Sequence, residues 1–514
     1  MSKELPWELQ TCPVDLVSNL PNLNIDLIEP VGGGLVHRVF KILRENNNAT
    51  FAKIRGKEFA RINGLTTDPA KIDQEHRISK ALQRSNFFPQ VESYNKEKFI
   101  LVLSDISEGG SWFEEFLDKN ELNKDLVTAL ASNITQLHNE LKQIPDNTIT
   151  QVENESEYKN NLQFRLRKFN IPEINATVNL LLDLPKQYIF GDLSPKNLYW
   201  NTDEQNMRYC DLEMVHRGNP EFDHAFFVSH LLLHQTSNHQ AIFDYYFDNI
   251  TVDVSKDDFV KLVFGLLLYR LINSKIPYTQ SKFNPAQKFK IAQNILKNIS
   301  QPDLNRIFEI EDDELEVESK ILNIDKASVV SQLEKLGAIC ILEEDTRIQR
   351  WDISDHKKLN GDFADSKIAK ILENIKNLTT SGLDLDNHNA YLRIRNQAGQ
   401  LELTLKVGKT DTEQFKSEEE INMYFEESEE ESINGELTKY GFEVKSNEIK
   451  NRQSFLLFNG TRVDIDTWII PSIPTYIEIE GSQEQITLAA SQLGFEANQL
   501  SNITGKELFK KHAN

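Results

Sequence analysis

Asp192, Asn197 and Asp211 have the types and spacing for phosphoryl transfer. Asp192 and Asn197 share the run Gly-Asp-Leu-Ser-Pro-Lys-Asn. Asp211 follows after a short strand-like run, a polar turn and a second strand-like run. Phosphoryl transfer asks for one carboxylate beside the acceptor hydroxyl. It also asks for an amide oxygen and a second carboxylate that hold Mg²⁺ on the nucleotide phosphates. Asp192 fits the first role, Asn197 and Asp211 the second.

The elements upstream supply what such a site needs, in the order it needs them. Leu27–Pro30 leads into Gly32, Gly33 and Gly34 and then Val39-Phe40-Lys41-Ile42, which reads as strand, glycine turn, strand. Glycines let backbone amides approach phosphates with no Cβ in the way. Lys53 stands among Phe51, Ala52 and Ile54 in the next strand. Glu75 follows on a segment whose apolar residues, Ile78 and Leu82, have helical spacing. A Lys53–Glu75 pair would aim the lysine at the α- and β-phosphates. Phe99–Leu103, Ser104-Asp105 and Gly109-Gly110 read as a strand and hinge for the adenine.

On these motifs, residues 25 to about 295 resemble the aminoglycoside phosphotransferase and choline-kinase-like family. The match is carried by Gly191-Asp192-Leu-Ser-Pro-Lys-Asn197, Asp211-Leu-Glu213 and Gly218-Asn-Pro220-Glu-Phe-Asp223. The resemblance implies a bilobal, protein-kinase-like fold. It implies that Asp192 acts on the acceptor hydroxyl, that Asn197 and Asp211 hold the metal, and that Lys53 contacts ATP. Asp223 would be structural, and the acceptor a small alcohol. Two departures stand out: Phe190 replaces the family's usual His before Gly-Asp, and Val36-His37 replaces its polar pair after the glycine turn.

The second half shows a different pattern. Glu314-Leu-Glu316-Val-Glu318-Ser-Lys320-Ile alternates strictly, so that in a strand Glu316, Glu318 and Lys320 share one face. The alternation recurs with Arg393 and Arg395, with Glu402, Thr404 and Lys406, with Lys450 and Arg452, with Asp464 and Asp466, and with Glu478 and Glu480. Acids at 316, 318, 478 and 480 and bases at 393, 395, 406 and 452 suggest two walls. One would hold a divalent metal through oxygen ligands and the other would neutralise phosphate. The apolar faces would then point outward under helices expected at 328–336, 366–375, 418–425 and 484–493.

This part, roughly 314–512, resembles the CYTH family of class IV adenylyl cyclases and thiamine or inorganic triphosphatases. The motifs are Glu316-x-Glu318-x-Lys320, Leu392-Arg393-Ile-Arg395, Leu403-Thr404-Leu-Lys406 and Tyr476-Ile-Glu478-Ile-Glu480-Gly481. The resemblance implies an antiparallel barrel with a charged tunnel. Glu316, Glu318, Glu478 and Glu480 would serve the metal, and Lys320, Arg393, Arg395, Lys406 and Arg452 the triphosphate. Oxygen ligands and phosphate favour Mg²⁺ or Mn²⁺ over zinc.

The chain as a whole is consistent with this division. At 514 residues it exceeds one domain. A kinase-like N-lobe is expected at 1–104, a helical C-lobe at 105–300, an acidic linker at 301–313 and a tunnel domain at 314–514. The fold class is α+β. A net charge of -22 argues against nucleic acid and anionic membranes as partners. The acidic run Glu418–Glu431 reads as an exposed helix and its loop. Cys12, Cys210 and Cys340 lack metal or redox spacing and read as free thiols. The start of the chain has no apolar h-region, and the apolar runs Phe226–Leu233 and Leu262–Leu268 are too short to span a bilayer. A cytoplasmic location is the expectation, and a homodimer would be unsurprising. The function expected is bifunctional: ATP-dependent transfer to a small alcohol, and metal-dependent processing of a nucleoside or inorganic triphosphate, hydrolysis before cyclisation. The alternative is that one half is a non-catalytic nucleotide or polyphosphate sensor that regulates the other.

Overall fold

A computed structural model describes residues 25–31, 36–44, 49–57, 66–107, 109–272, 282–283, 285–310, 316–353, 358–359, 363–380, 390–397, 400–412 and 414–512. The chain forms two compact units, Met1–Tyr269 with Gln280–Lys282, and Arg270–Thr279 with Phe283–Asn514.

The first unit opens with strands β1 (Ile25–Val31), β2 (His37–Arg44), β3 (Ala49–Arg55), β4 (Val91–Asn95) and β5 (Ile100–Ser104). They form an antiparallel sheet in the order β1-β2-β3-β5-β4. Alternation along β5 splits its apolar residues between two faces. Ile100 and Val102 join Phe40, Ile42 and Ala52 on one side. Leu101 and Leu103 join Ile72 and Val91 on the other. Ile72 belongs to the helix Lys71–Ala81, which buries Ile72, Glu75 and Ile78. Lys53 sits opposite Leu101 in the β3–β5 register and therefore shares the face that meets this helix.

Further along, β6 (Gly110–Trp112), β8 (Leu198–Asn201) and β9 (Asn206–Tyr209) form a three-stranded sheet. Strand β7 (Gln187–Ile189) pairs with β10 (His216–Gly218). The loop from β7 to β8 carries Asp192 and Asn197, and the loop from β9 to β10 carries Asp211. The helix Pro220–Leu233 is buried almost throughout, including Phe222, Phe226, Phe227 and Leu231. Its apolar run is therefore that of a core helix. No described helix is long and apolar enough to cross a membrane.

The second unit is built on a closed antiparallel barrel. Its strands are β11 (Glu316–Ile321), β12 (Ile339–Ile353), β13 (Ala390–Gln397), β14 (Gln400–Asp411), β15 (Lys416–Glu426), β16 (Phe442–Leu456), β17 (Arg462–Ile470) and β18 (Ile473–Glu480). Their order round the ring is β11-β15-β14-β13-β12-β16-β17-β18. The buried charged residues face the lumen and two apolar layers face outward, while Ile348, Trp468, Ile473 and Tyr476 form a separate cluster with Leu508, Tyr476 lying within electrostatic reach of Asp466, Glu478 and Lys320. Leu392, Ile394, Leu403 and Leu405 pack with Ile371, Leu372, Ile375, Ile433 and Leu437 of the helices Ala369–Thr380 and Glu430–Lys439. Ile321, Val463, Ile465, Ile477 and Ile479 pack with Val329, Leu333, Ile486 and Ala489 of the helices Lys326–Lys335 and Gln483–Gln492.

The helix expected at 418–425 is instead strand β15. Total acidity misleads here, because Ile421, Met423 and Phe425 recur with period two and pack on the outer core. Glu418, expected on an exposed face, is buried. The covering helix begins only at Glu430.

Candidate active sites

In the first unit Lys53 is the meeting point of two acids. Its Nζ lies 2.6 and 2.8 Å from the Glu75 carboxylate oxygens and 2.6 Å from Asp211 Oδ1. Burial alone would lower the Lys53 ammonium, but Asp211 and Glu75 outweigh it and hold it well above its ordinary range. Burial pushes Glu75 up to about 7 against the pull of Lys53. Asp211 goes the other way: burial would raise it, but Lys53, His37 and Lys196 hold it far below the usual carboxylate range. Asp211 has φ 68°, a left-handed conformation that costs a non-glycine residue on the order of 1–3 kcal/mol and concentrates at functional sites.

Asp192 is held by its own loop. Ser194 Oγ donates to Oδ1 at 2.7 Å, and Asn197 Nδ2 donates to the Asp192 carbonyl at 3.0 Å and to Oδ2 at 3.1 Å. Both of these Asn197 bonds run through nitrogen, and the amide oxygen is the atom a divalent cation would take. Asp223 braces the loop from below. Its carboxylate accepts from Phe190 N at 2.7 Å and Gly191 N at 2.8 Å, and it meets His138 Nε2 at 3.0 Å. Gly191 has φ 80°, and a Cβ there would press into the Met214 carbonyl. Phe190 is fully buried and packs on Tyr209.

Four further side chains join this site. Arg55 pairs with Glu213 and lies 3.2 Å from His37 Nε2. Burial, helped by Lys53, brings His37 down to about 4. His37, Asp211 and Glu213 turn ligand atoms to within 4.8 Å of one another. Arg165 lies against Asp192. Arg55 was legible as Lys53-x-Arg55, two residues on along one strand face. Arg165 gave no such signal. The glycines Gly32, Gly33 and Gly34 lie outside the described residues.

The barrel lumen pairs acids with bases all the way round. Lys320 Nζ lies 2.5 Å from Glu318 Oε1 and 3.2 Å from Glu478 Oε2. Arg452 makes a bidentate pair with Asp466 at 2.7 Å, reaches Asp464 at 2.5 Å and lies 3.8 Å from Glu478. Lys450 Nζ donates to Asp466 at 2.6 Å, and Arg462 reaches Asp464 and Glu480. Across the ring, Arg395 donates to Glu402 at 2.6 and 2.8 Å, with Arg393 at 3.5 Å. Lys406 pairs with Glu420 and lies 3.4 Å from Glu418, which also takes Lys416.

Residues 378–503 match the family model of the CYTH domain. No curated protein matches the chain. Among solved structures, the N-terminal part is similar to a choline/ethanolamine kinase family protein from Mesorhizobium loti (14% identity, 57% of this chain and 97% of that chain, TM-score 0.38). It is also similar to the choline kinase LicA from Streptococcus pneumoniae (14% identity, 56% and 97%, TM-score 0.35). The C-terminal part is similar to HpAC1 from Hippeastrum, an adenylyl cyclase candidate described as having a dominant triphosphatase activity (13% identity, 38% and 96%, TM-score 0.27).

The CYTH match spans β13 to β18, and closure of the ring brings Glu318 and Lys320 of β11 to it. Glu318, Glu478 and Glu480 offer carboxylate oxygens within 4.8 Å of one another. Burial raises Glu318, and the charge of Glu478 raises it further, while Lys320 and Arg452 hold Glu478 well below its ordinary range. Crowded oxygen donors of this kind suit a hard divalent cation. The Glu316 side chain lies outside the described residues; its backbone pairs with Glu418. The two-wall arrangement of charge is not what the ring contains. Glu402, Glu418 and Glu420 stand among the bases of β13 and β14, and Arg452 and Lys320 stand among the acids of β17 and β18. Each buried cation needs a carboxylate beside it, and one strand face supplies both signs.

Proposed function

We propose that this chain is a bifunctional phosphate-handling enzyme. One observation carries the reading: in each unit, carboxylates suited to a hard divalent cation lie directly against cations suited to phosphate oxygens. In the kinase-like unit the reaction is transfer from ATP to a small alcohol. The acceptor hydroxyl gives its proton to Asp192 as its oxygen bonds to the γ-phosphorus. The bond to the β,γ-bridging oxygen breaks, and ADP leaves. Lys53, oriented by Glu75, takes the nucleotide phosphates. Asn197 and Asp211 would hold Mg²⁺, which screens the charge of the transferring group.

In the CYTH barrel the reaction is metal-dependent processing of a triphosphate. Hydrolysis is favoured over cyclisation: a water oxygen bonds to the terminal phosphorus, the bridging P–O bond breaks and orthophosphate leaves. The lumenal side chains named above are charged and suit polyphosphate, and hydrolysis asks for less specific recognition of a nucleoside than cyclisation does. Because each base already meets an acid, a triphosphate brings more negative charge than the lumen can absorb alone. Mg²⁺ or Mn²⁺ on Glu318, Glu478 and Glu480 would supply the balance. Lys320, Arg393, Arg395, Lys406 and Arg452 would grip the phosphates.

Reciprocal substitutions test the proposal on the full chain. Asp192→Ala should abolish transfer from ATP to small alcohols and leave tripolyphosphate hydrolysis intact. Glu318→Ala should do the reverse. If Asp192→Ala binds ATP and changes no turnover, the first unit is a nucleotide sensor. If neither variant alters any phosphate release or transfer, both assignments fail.

A further inference from the structure

Arg165 reaches the acceptor side of the kinase-like site from a segment that departs from α-helical geometry. Residues Asn160–Leu166 form π-helical turns, a feature that concentrates at functional sites. Arg165 Nη1 donates to the Gly191 carbonyl at 2.6 Å, and Nη2 lies 3.4 Å from Asp192 Oδ1. The guanidinium stacks 4.6 Å over Phe226, and its side chain is only 12% exposed. Two anchors and a ring fix its plane, and those anchors leave part of its donor fork unspent. Lys196, in the same loop, adds a second cation that acts on Asp211 and Glu114. Glu114 lies within electrostatic reach of Lys196, and burial and Asp118 lift it above its ordinary range.

We propose that Arg165 is a positioning residue for Asp192 and sets the charge class of the acceptor. An alcohol that is neutral or carries an anionic group is accepted, and one with a cation a few bonds from the reacting hydroxyl is rejected. The proposal rests on the phosphotransfer reading above. The reacting hydroxyl must come within hydrogen-bond reach of Asp192. A cation two carbons away then falls close to the guanidinium in a poorly solvated site, where like charges repel strongly. A carboxylate in that position meets the unspent donors instead.

The test uses the full chain, ATP, Mg²⁺ and two matched series: ethanolamine, ethylene glycol and glycolate; glucosamine, glucose and glucuronate. In each series the cationic member should have the lowest kcat/KM, by about tenfold. Arg165→Gln should lower kcat for the neutral member and close that gap, and Arg165→Lys should restore the ranking. A wild-type enzyme that uses ethanolamine or glucosamine as well as their neutral partners overturns the proposal. So does an Arg165→Gln variant that weakens all members equally, as a purely structural role would. If no member is phosphorylated, slow transfer from ATP to water becomes the readout. Loss of that turnover in Asp192→Asn, with no effect of Arg165→Gln, overturns the positioning role alone. Turnover indifferent to Asp192→Asn removes the phosphotransfer reading, and the proposal with it.

Discussion

The kinase-like site takes single residues from a sheet, a helix and two loops, and each has its own position and partner. The CYTH barrel repeats one alternation round a ring, and its charges back one another up. Lys53 meets Glu75 and Asp211, which come from different elements. Arg452 meets Asp464 and Asp466, neighbours on the adjoining strand. On the proposed function, the contrast is between two phosphate sites built on opposite plans. In the first, the proposed chemistry rests on one carboxylate held by a loop. In the second, it would be spread over a surface whose charges also hold the fold together.

The largest effect should come from the least redundant group. Asp192→Asn should lower transfer from ATP by about 10²–10⁴-fold, with unfolding midpoints unchanged, as read by steady-state assay and thermal melts. In the barrel a single charge should matter more for stability. Arg452→Met leaves Asp464 and Asp466 buried without their main partner and should destabilise that unit by about 3–5 kcal/mol, measured by urea unfolding of the full chain. An equally large stability loss in Asp192→Asn would erase the contrast.

Smaller effects sharpen it. Glu318→Gln relieves the crowding with Glu478, so it should cost little stability. It should raise the Mg²⁺ needed for half-maximal triphosphate hydrolysis by roughly tenfold, about 1.4 kcal/mol. Metal titration of the hydrolysis rate checks this. The smallest effect concerns pH. Burial, with Arg452, lowers Lys450 to about 8 in spite of Asp466. Between pH 8 and about 10.5 the unfolded chain binds this proton and the folded one does not, so stability rises with pH across that window. Wild type should gain up to about 3 kcal/mol on Lys450→Met there, seen as diverging unfolding midpoints. Parallel curves would contradict it.

Much of both sites was legible because the deciding residues lie in short, regular patterns. Asp192, Asn197 and Asp211 sit in one contiguous stretch, and Lys53 and Glu75 meet as their strand and helix spacing requires. The barrel faces follow from period two. Arg165 was not legible, because its approach depends on π-helical turns that no residue pattern announces. The acids of β15 read as a helix from their charge density, although Ile421, Met423 and Phe425 carry the strand signal at period two. The mixed lumen was hidden for a different reason: pairing across the ring depends on strand order, and β11 meets β15 and β18, both far from it in the sequence.

The regular register of β13 makes the barrel intolerant of one kind of genetic change. Shifts interrupt the pairing of β12 with β16, β14 with β15, and β16 with its neighbours, so those strands already absorb irregularity. β13 runs unbroken against β12 and β14. A codon inserted in its middle would reverse the sides of every residue on one flank. Arg393 or Arg395 would turn into the layer of Ile371 and Leu372, while Leu392 or Ile394 would enter the lumen. Substitutions can tune this strand, but its length has little freedom to drift.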